Sequence, residues 1–531
     1  MEQLRSGYLL LALTGALFGM ADIKDASEIK DVTDVTNIID VADTADLVDM
    51  NKSADAEENI EMEDVQKHSL KCDMRHIFEE DPEKAENISD MFCRGVFYGR
   101  IRFNSFGFQW KEETEFAGVQ LRKNHVIAGL GGSLIYRSAY MNGFAVGAGI
   151  YTSTSKGSLN NDEAYLYKSG KGVLSRYDAL TEGKVSLNSL AQAYLEYKHK
   201  YVSLKIGRQI FESFLTRSND TKMIPNTFEG VTLNIPTLYD TSFKAAYLTR
   251  QKLRDHTDFH HVLAAGDNPD DPYAFFTQND DTAMHYGLDL SELKARGIND
   301  RLIILEAKNR SIENLTVNVN YTAVPDLISS AMVQADYRVY MGNWSVIPAL
   351  RYMQQFDNGA GDIGGANLKT LTDGYKDPDS LDTELYGARV DVLYDTLKLR
   401  FGYSNIADKG DIVAPWRGFP TAGFTRAMGQ YNWCANTESF MFQLDYKFEK
   451  LSDFKIISRF AIQDFDDEKM GVQADSNTFT IDFLKGLGQT PVYLKTRFAH
   501  VYGDKNTVAE NGFHKLDPSY DEVRFEVNYL F

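Results

Sequence analysis

Between Glu522 and Tyr529, close to the carboxyl end at Phe531, the sequence alternates without a break. Val523, Phe525, Val527, Tyr529 and Phe531 fall on one face, and Glu522, Arg524, Glu526 and Asn528 on the other. Strand side chains point to opposite faces with period two, so this segment predicts a strand that is apolar on one side and charged on the other. A half-buried strand of a soluble sheet reads the same way. What constrains the fold is recurrence. Leu315, Val317, Val319 and Tyr321 oppose Thr316, Asn318 and Asn320. Phe440, Phe442, Leu444, Tyr446 and Phe448 oppose Gln443, Asp445 and Lys447. Phe454, Ile456, Phe460 and Ile462 oppose Lys455, Arg459 and Gln463. Lipid outside and water inside produce this signature.

The pattern predicts strands at 96–109, 125–138, 144–153, 189–198, 201–208, 227–235, 241–250, 302–309, 314–322, 330–340, 344–356, 384–394, 396–405, 438–448, 453–464, 476–484, 491–502 and 520–531. Their connections alternate between short turns (near 141–143, 199, 237, 310–313, 341–343, 395, 449–452 and 485–490) and longer loops (111–124, 154–188, 209–226, 251–300, 357–383, 406–437, 465–475 and 503–519), with 323–329 the least long of its class. Short periplasmic turns and long external loops distinguish outer-membrane barrels, whereas a soluble sandwich has no reason to segregate loop lengths. The expected fold is therefore all-β: a transmembrane antiparallel β-barrel of about 18 strands. Beyond the amino terminus no apolar run is long enough for a helical span, and nearly every strand Arg and Lys falls on the polar face.

The formal net charge of −20 argues against nucleic acid as a partner. Met1 to Ala21 reads as a secretory signal: Arg5 supplies the positive charge, Tyr8 to Phe18 the apolar stretch, and Gly19-Met20-Ala21 the small-x-small cleavage site. Residues 22–94 form an acidic periplasmic segment whose 22–70 part is expected to be a solvated tail, and 95–531 form the barrel. Cys72 and Cys93 flank a short segment, and an oxidising periplasm allows them to pair; Cys434 is left over. His256, His260 and His261, with Asp255 and Asp258, are read as a solvated loop rather than a metal cluster because their spacing is not diagnostic. Asp267-Asn268-Pro269-Asp270-Asp271 lacks the pattern of a calcium loop. No cofactor or catalytic fingerprint is present, so an enzyme is not expected.

A barrel this wide leaves an aqueous lumen. The polar face brings to it Arg100, Arg102, Arg137, Arg338, Arg351, Arg389, Arg400, Arg459, Arg497 and Arg524, with the acids Glu196, Asp336, Asp391, Asp445 and Asp482. Opposed charges could set selectivity, or simply pair across strands and stiffen the wall. The loop 209–226 carries Glu212, Arg217, Asn219, Asp220 and Lys222; folded inward, it would form a constriction, which periodicity alone does not decide.

The run Ser218-Asn219-Asp220-Thr221-Lys222-Met223-Ile224-Pro225-Asn226-Thr227-Phe228-Glu229-Gly230, preceded by Gly207-Arg208-Gln209, resembles the OprD-type family of outer-membrane porins. Asn142-Gly143-Phe144 and the terminal Phe531 fit as well, and the likeness is greatest to the divergent branch found in epsilon-class proteobacteria. The resemblance implies an eighteen-stranded barrel, a third external loop narrowing the pore, and a basic ladder guiding small solutes past acidic residues. Lys222 stands where a basic residue is usual, whereas the acidic segment 22–70 departs from the family pattern. The expected function is passive diffusion of small hydrophilic solutes (amino acids, peptides or organic ions) across the bacterial outer membrane, in contact with lipid and lipopolysaccharide, as a monomer or homotrimer. The alternative is a structural or adhesive barrel that contacts a surface or the cell wall.

Overall fold

Alternation becomes a wall. The computed structural model describes residues 68–71, 74–116, 119–264, 288–428, 431–451, 454–488 and 490–531. Among these, eighteen strands close one antiparallel barrel. In chain order they are β1 (Val96–Trp110), β2 (His125–Arg137), β3 (Phe144–Gly157), β4 (Ser186–His199), β5 (Val202–Gln209), β6 (Thr227–Leu238), β7 (Thr241–Lys252), β8 (Leu302–Asn309), β9 (Leu315–Val324), β10 (Ile328–Tyr337, continued by Val339–Met341), β11 (Trp344–Asp357), β12 (Thr383–Tyr394), β13 (Leu397–Ile406), β14 (Glu438–Phe448), β15 (Phe454–Asp464), β16 (Ser476–Gly486), β17 (Val492–Gly503) and β18 (Tyr520–Leu530). Each pairs with its neighbours in sequence, and β18 closes on β1 with Tyr520 opposite Trp110 and Leu530 opposite Arg100. The backbone of Phe531 extends this seam, exchanging hydrogen bonds of 3.0 and 2.8 Å with Gly99.

Outward residues are apolar and exposed, among them Ile101, Leu350, Phe401 and Phe460. At the end with the short turns, aromatic pairs such as Phe144–Tyr197 (4.9 Å), Trp344–Tyr394 (4.5 Å) and Phe448–Phe454 (5.1 Å) form the girdle expected at a membrane interface. No helix of the described residues is long and apolar enough to cross a membrane; the strands do the crossing.

The buried apolar core lies inside the barrel. One cluster combines Phe214 and Leu215 with Val262 and Leu263, Leu368, and Trp416 and Trp433. These residues come from four different loops, so those loops fold inward and pack on one another. Removing such large side chains from water supplies about 1.5–3 kcal/mol each, which favours the packed loops over extended ones. A second cluster joins the loop after β3 to Met223 and Ile224.

Three expectations change. The link between β9 and β10 is a tight turn rather than a long loop: Leu327 N donates to Val324 O at 3.1 Å, with Asp326 in the left-handed region (φ 64°). The loop after β11 covers it, since Asn358 N and Ala360 N both donate to Leu327 O. The segment holding His256 and His260 is not solvated. Both rings are buried, 4.6 Å apart, and their segment is tied back to β7 through Gln251 and His260; the flanking Leu253, Val262 and Leu263 carry it into the core. The solvated tail expected over 22–70 does not extend to His68–Leu70, which pairs with His76–Phe78 in a two-stranded ribbon before the helix Ile88–Cys93. The signal sequence, residues 22–67, the Asp267–Asp271 run and Cys72, hence the Cys72–Cys93 pairing, lie outside the described residues.

Candidate functional site

The loop between β5 and β6 crosses the lumen. Its apolar ends anchor it: Phe211, Phe214 and Leu215 enter one core cluster, and Met223 and Ile224 the other. The polar middle between them has nowhere to go but across. Asn219 turns the tip in the left-handed conformation (φ 40°), which Asn tolerates, and Asn226 N closes the neck on Ser218 O at 2.8 Å.

The tip of the loop meets β1 and β18, four and five strands round the wall from β5, where the loop springs. Asp220 is paired with Arg100 and, at 3.0 Å, with Arg102. Arg102 also donates to the Asp220 carbonyl at 2.9 Å and pairs with Glu526 at 2.6 Å. Asn104 donates to the carbonyls of Thr221 and Lys222. All of these side chains are buried, and charge-assisted bonds of this kind are the strong ones.

Lys222 follows. Its ammonium lies 4.3 Å from the centre of the Phe106 ring, and the Arg524 guanidinium lies 4.6 Å from the same ring. Cations on an aromatic face are attracted by its quadrupole. Lys222 Nζ is buried and finds no hydrogen-bond partner among the described residues. Burial, then the charges of Arg524 and Arg254, push its ammonium well below the ordinary lysine range.

The remaining loop positions do other work. Glu212 accepts from Ser218 Oγ at 2.7 Å and pairs with Arg75 at 2.8 Å. Arg217 N donates to Trp416 O at 3.1 Å, and Thr216 bridges to Arg417. The loop is thereby joined to a second inward loop, 407–437. That loop is held to the opposite wall: Arg351 donates to the carbonyls of Pro420 (2.8 Å) and Ala422 (2.7 Å), and Arg389 to that of Gly423 (2.9 Å).

The ten arginines thus divide. Arg100 and Arg102 meet the first loop, Arg351 and Arg389 the second, and Arg524 pairs with Glu522 of its own strand at 3.0 Å. Arg400 makes a two-pronged pair with Asp391 (2.7 and 3.0 Å), Arg497 pairs with Asp482, and Arg459 lies 3.6 Å from Asp482. For these three, pairing along the wall is what the geometry shows. Arg389 also pairs with Asp336, and Asp445 with Lys455 at 3.1 Å. Arg137 and Glu196 lie towards the short-turn end, bonded to Asp81 (2.8 Å) and Tyr140 (3.1 Å); Arg338 sits at the break in β10, 5.7 Å from the Tyr340 ring.

Sequence reasoning missed Arg254, Arg417 and Arg426, all buried inside the barrel. A signal was present: 406–437 carries Trp416, Phe419, Phe424 and Trp433, too apolar for a loop in water.

The family model described as outer membrane porin, OprD family, matches residues 129–449, more than half of the chain. A comparison with curated protein sequences gives no match. Among solved structures, OccK8 (OprE) of Pseudomonas aeruginosa is similar with a TM-score of 0.61 at 14% identity, covering 83% of this chain and 99% of its own. OccAB3 of Acinetobacter baumannii is similar at 0.60 and 12%, covering 82% and 99%. The P. aeruginosa OpdK structure with vanillate is similar at 0.59 and 14%, covering 83% and 99%.

Proposed function

The chain belongs to the OprD family of outer membrane porins, and from that premise we propose that it passes small hydrophilic solutes bearing a carboxylate through a neck formed by loop 210–226. Its place is the bacterial outer membrane, and its mechanism is passive diffusion through water. One observation carries the preference for anions: Lys222 is buried beside Arg524 with its ammonium hydrogen bonds unspent on the described protein. A buried cation without partners is costly. An anion in transit offers the missing acceptor and restores the charged form of the lysine. The neighbouring Asp220 does not cancel this, because Arg100 and Arg102 already occupy it.

The test is single-channel current of the refolded chain in a planar bilayer under a salt gradient, with Lys222→Ala beside it. Removing one charge at the neck is worth about 1 kcal/mol, a ~5-fold fall in anion-to-cation permeability. Vanillate, held by the P. aeruginosa protein, is the first solute to try as a blocker. A correctly folded barrel that carries no current sinks the channel reading. Current with unchanged selectivity in Lys222→Ala moves the filter onto the wall arginines.

A further inference from the structure

On the short-turn side of the neck the lumen holds a second insert, contributed by the amino-terminal extension. Among the described residues the ribbon His68–Leu70 with His76–Phe78 pairs only with itself and is no part of the barrel sheet. Its inner end touches both the constriction loop and the strand that anchors it. Arg75 pairs with Glu212 at 2.8 Å, and Arg100, which also holds Asp220, donates to the Met74 carbonyl at 2.6 Å. Phe78 stacks on Tyr98 at 5.1 Å, and His76 meets the same ring edge-on at 5.3 Å. Arg75, His76 and Phe78 form one side of a cavity of about 260 Å³ that has Gln209 and Asp220 on another. The ribbon therefore lies in the path immediately below the neck.

We propose that this ribbon is a tethered stopper: docked, it restricts flow through the barrel, and undocked it opens the periplasmic exit. The inference rests on the channel reading given above. Three features make docking reversible. A two-stranded ribbon is marginally stable by itself. The Arg75–Glu212 pair is partly exposed, with Arg75 at 29%, and such pairs are weak. Met74 is a non-glycine residue in the left-handed region (φ 63°), a conformation with a cost that release removes. The tether that follows the ribbon is fixed by backbone bonds instead: Ala85 N donates to Tyr140 O at 2.9 Å, Tyr140 N to Glu83 O at 3.2 Å and Ala139 N to Met91 O at 2.9 Å. A released ribbon thus stays beside the mouth and can return at high effective concentration.

Single-channel recordings of the full chain would be compared with Arg75→Glu, with the exchange Arg75→Glu/Glu212→Arg, and with a deletion of residues 68–78. Heat-dependent gel mobility would confirm that each barrel is folded. Arg75→Glu and the deletion are expected to raise mean conductance about two-fold or more, and the charge exchange to return it towards the unmodified value. Equal conductance in all four forms overturns the stopper and leaves the channel standing. A folded barrel silent in all four forms overturns the channel reading and the stopper with it.

Discussion

Arg102 holds two carboxylates at once, Asp220 of the loop and Glu526 of β18, and all three are buried. Removing one partner of a buried ion network strands the others, at a cost of about 3–5 kcal/mol. Arg102→Ala is therefore expected to lower the urea midpoint of the refolded barrel by that amount of unfolding free energy. Arg102→Lys should recover only part, because an ammonium cannot reproduce the two-sided fork. Equal midpoints for wild type and Arg102→Ala would contradict the assigned network. Period two placed Arg100, Arg102 and Glu526 on the inner face, and the polar loop between two well-marked strands made Asp220 a candidate for the constriction. It could not say that they meet, since Arg102 and Asp220 are 118 positions apart and no local rule joins a strand to a loop tip. Lys222 was legible as a charge and not as a buried one, because its burial comes from Phe106 and from loops packed at long range.

At the scale of elements, strands were legible and loops were not. A strand announces its face every second residue, whereas a loop's direction depends on what it finds to pack against. Hence loop length placed 407–437 correctly at the long-loop end but gave no hint that it turns back inside to meet Leu215 and Arg217. The ribbon 68–78 escaped notice for a different reason: its strands are three residues each, too short for periodicity to register. Its docking should depend on pH. His76 faces Arg100 and Tyr98 from β1 and His68 across the ribbon; beside it, Arg75 pairs with Glu212. Burial first, then the charges of Arg100 and His68, bring the His76 pKa down to about 3. A free ribbon histidine titrates near 6.5, so the docked form binds fewer protons. Docking is fully retained above pH 6.5 and weakens as pH falls from there towards 3, by up to about 1.4 kcal/mol per unit. Conductance of the full chain is expected to rise between pH 6.5 and 4, and His76→Gln to flatten that rise. A parallel rise in His76→Gln would assign the effect to another group.

For the molecule as a whole, the outer surface is a solvent boundary. Phe401, mid-strand on β13 and exposed on the lipid face, should tolerate aliphatic replacements. Phe401→Arg should cost about 2–4 kcal/mol if it lies near the bilayer midplane, read as a lower unfolding midpoint in lipid vesicles. No loss there would mean that this face is covered by something other than lipid. The barrel itself could be read from the sequence because a membrane imposes one rule on every strand; the filled lumen could not, because nothing so uniform governs its interior. The seam carries one more consequence. Arg102 bonds Glu526 across 424 positions, and the backbone ladder from Tyr520 to Leu530 completes β1. Contacts of such span close late and slowly. Until β18 has been synthesised and delivered, the first strand keeps an open edge, and open edges invite aggregation. Closure of the barrel therefore waits for the last strand to be made, and until then the first strand must be kept from other partners.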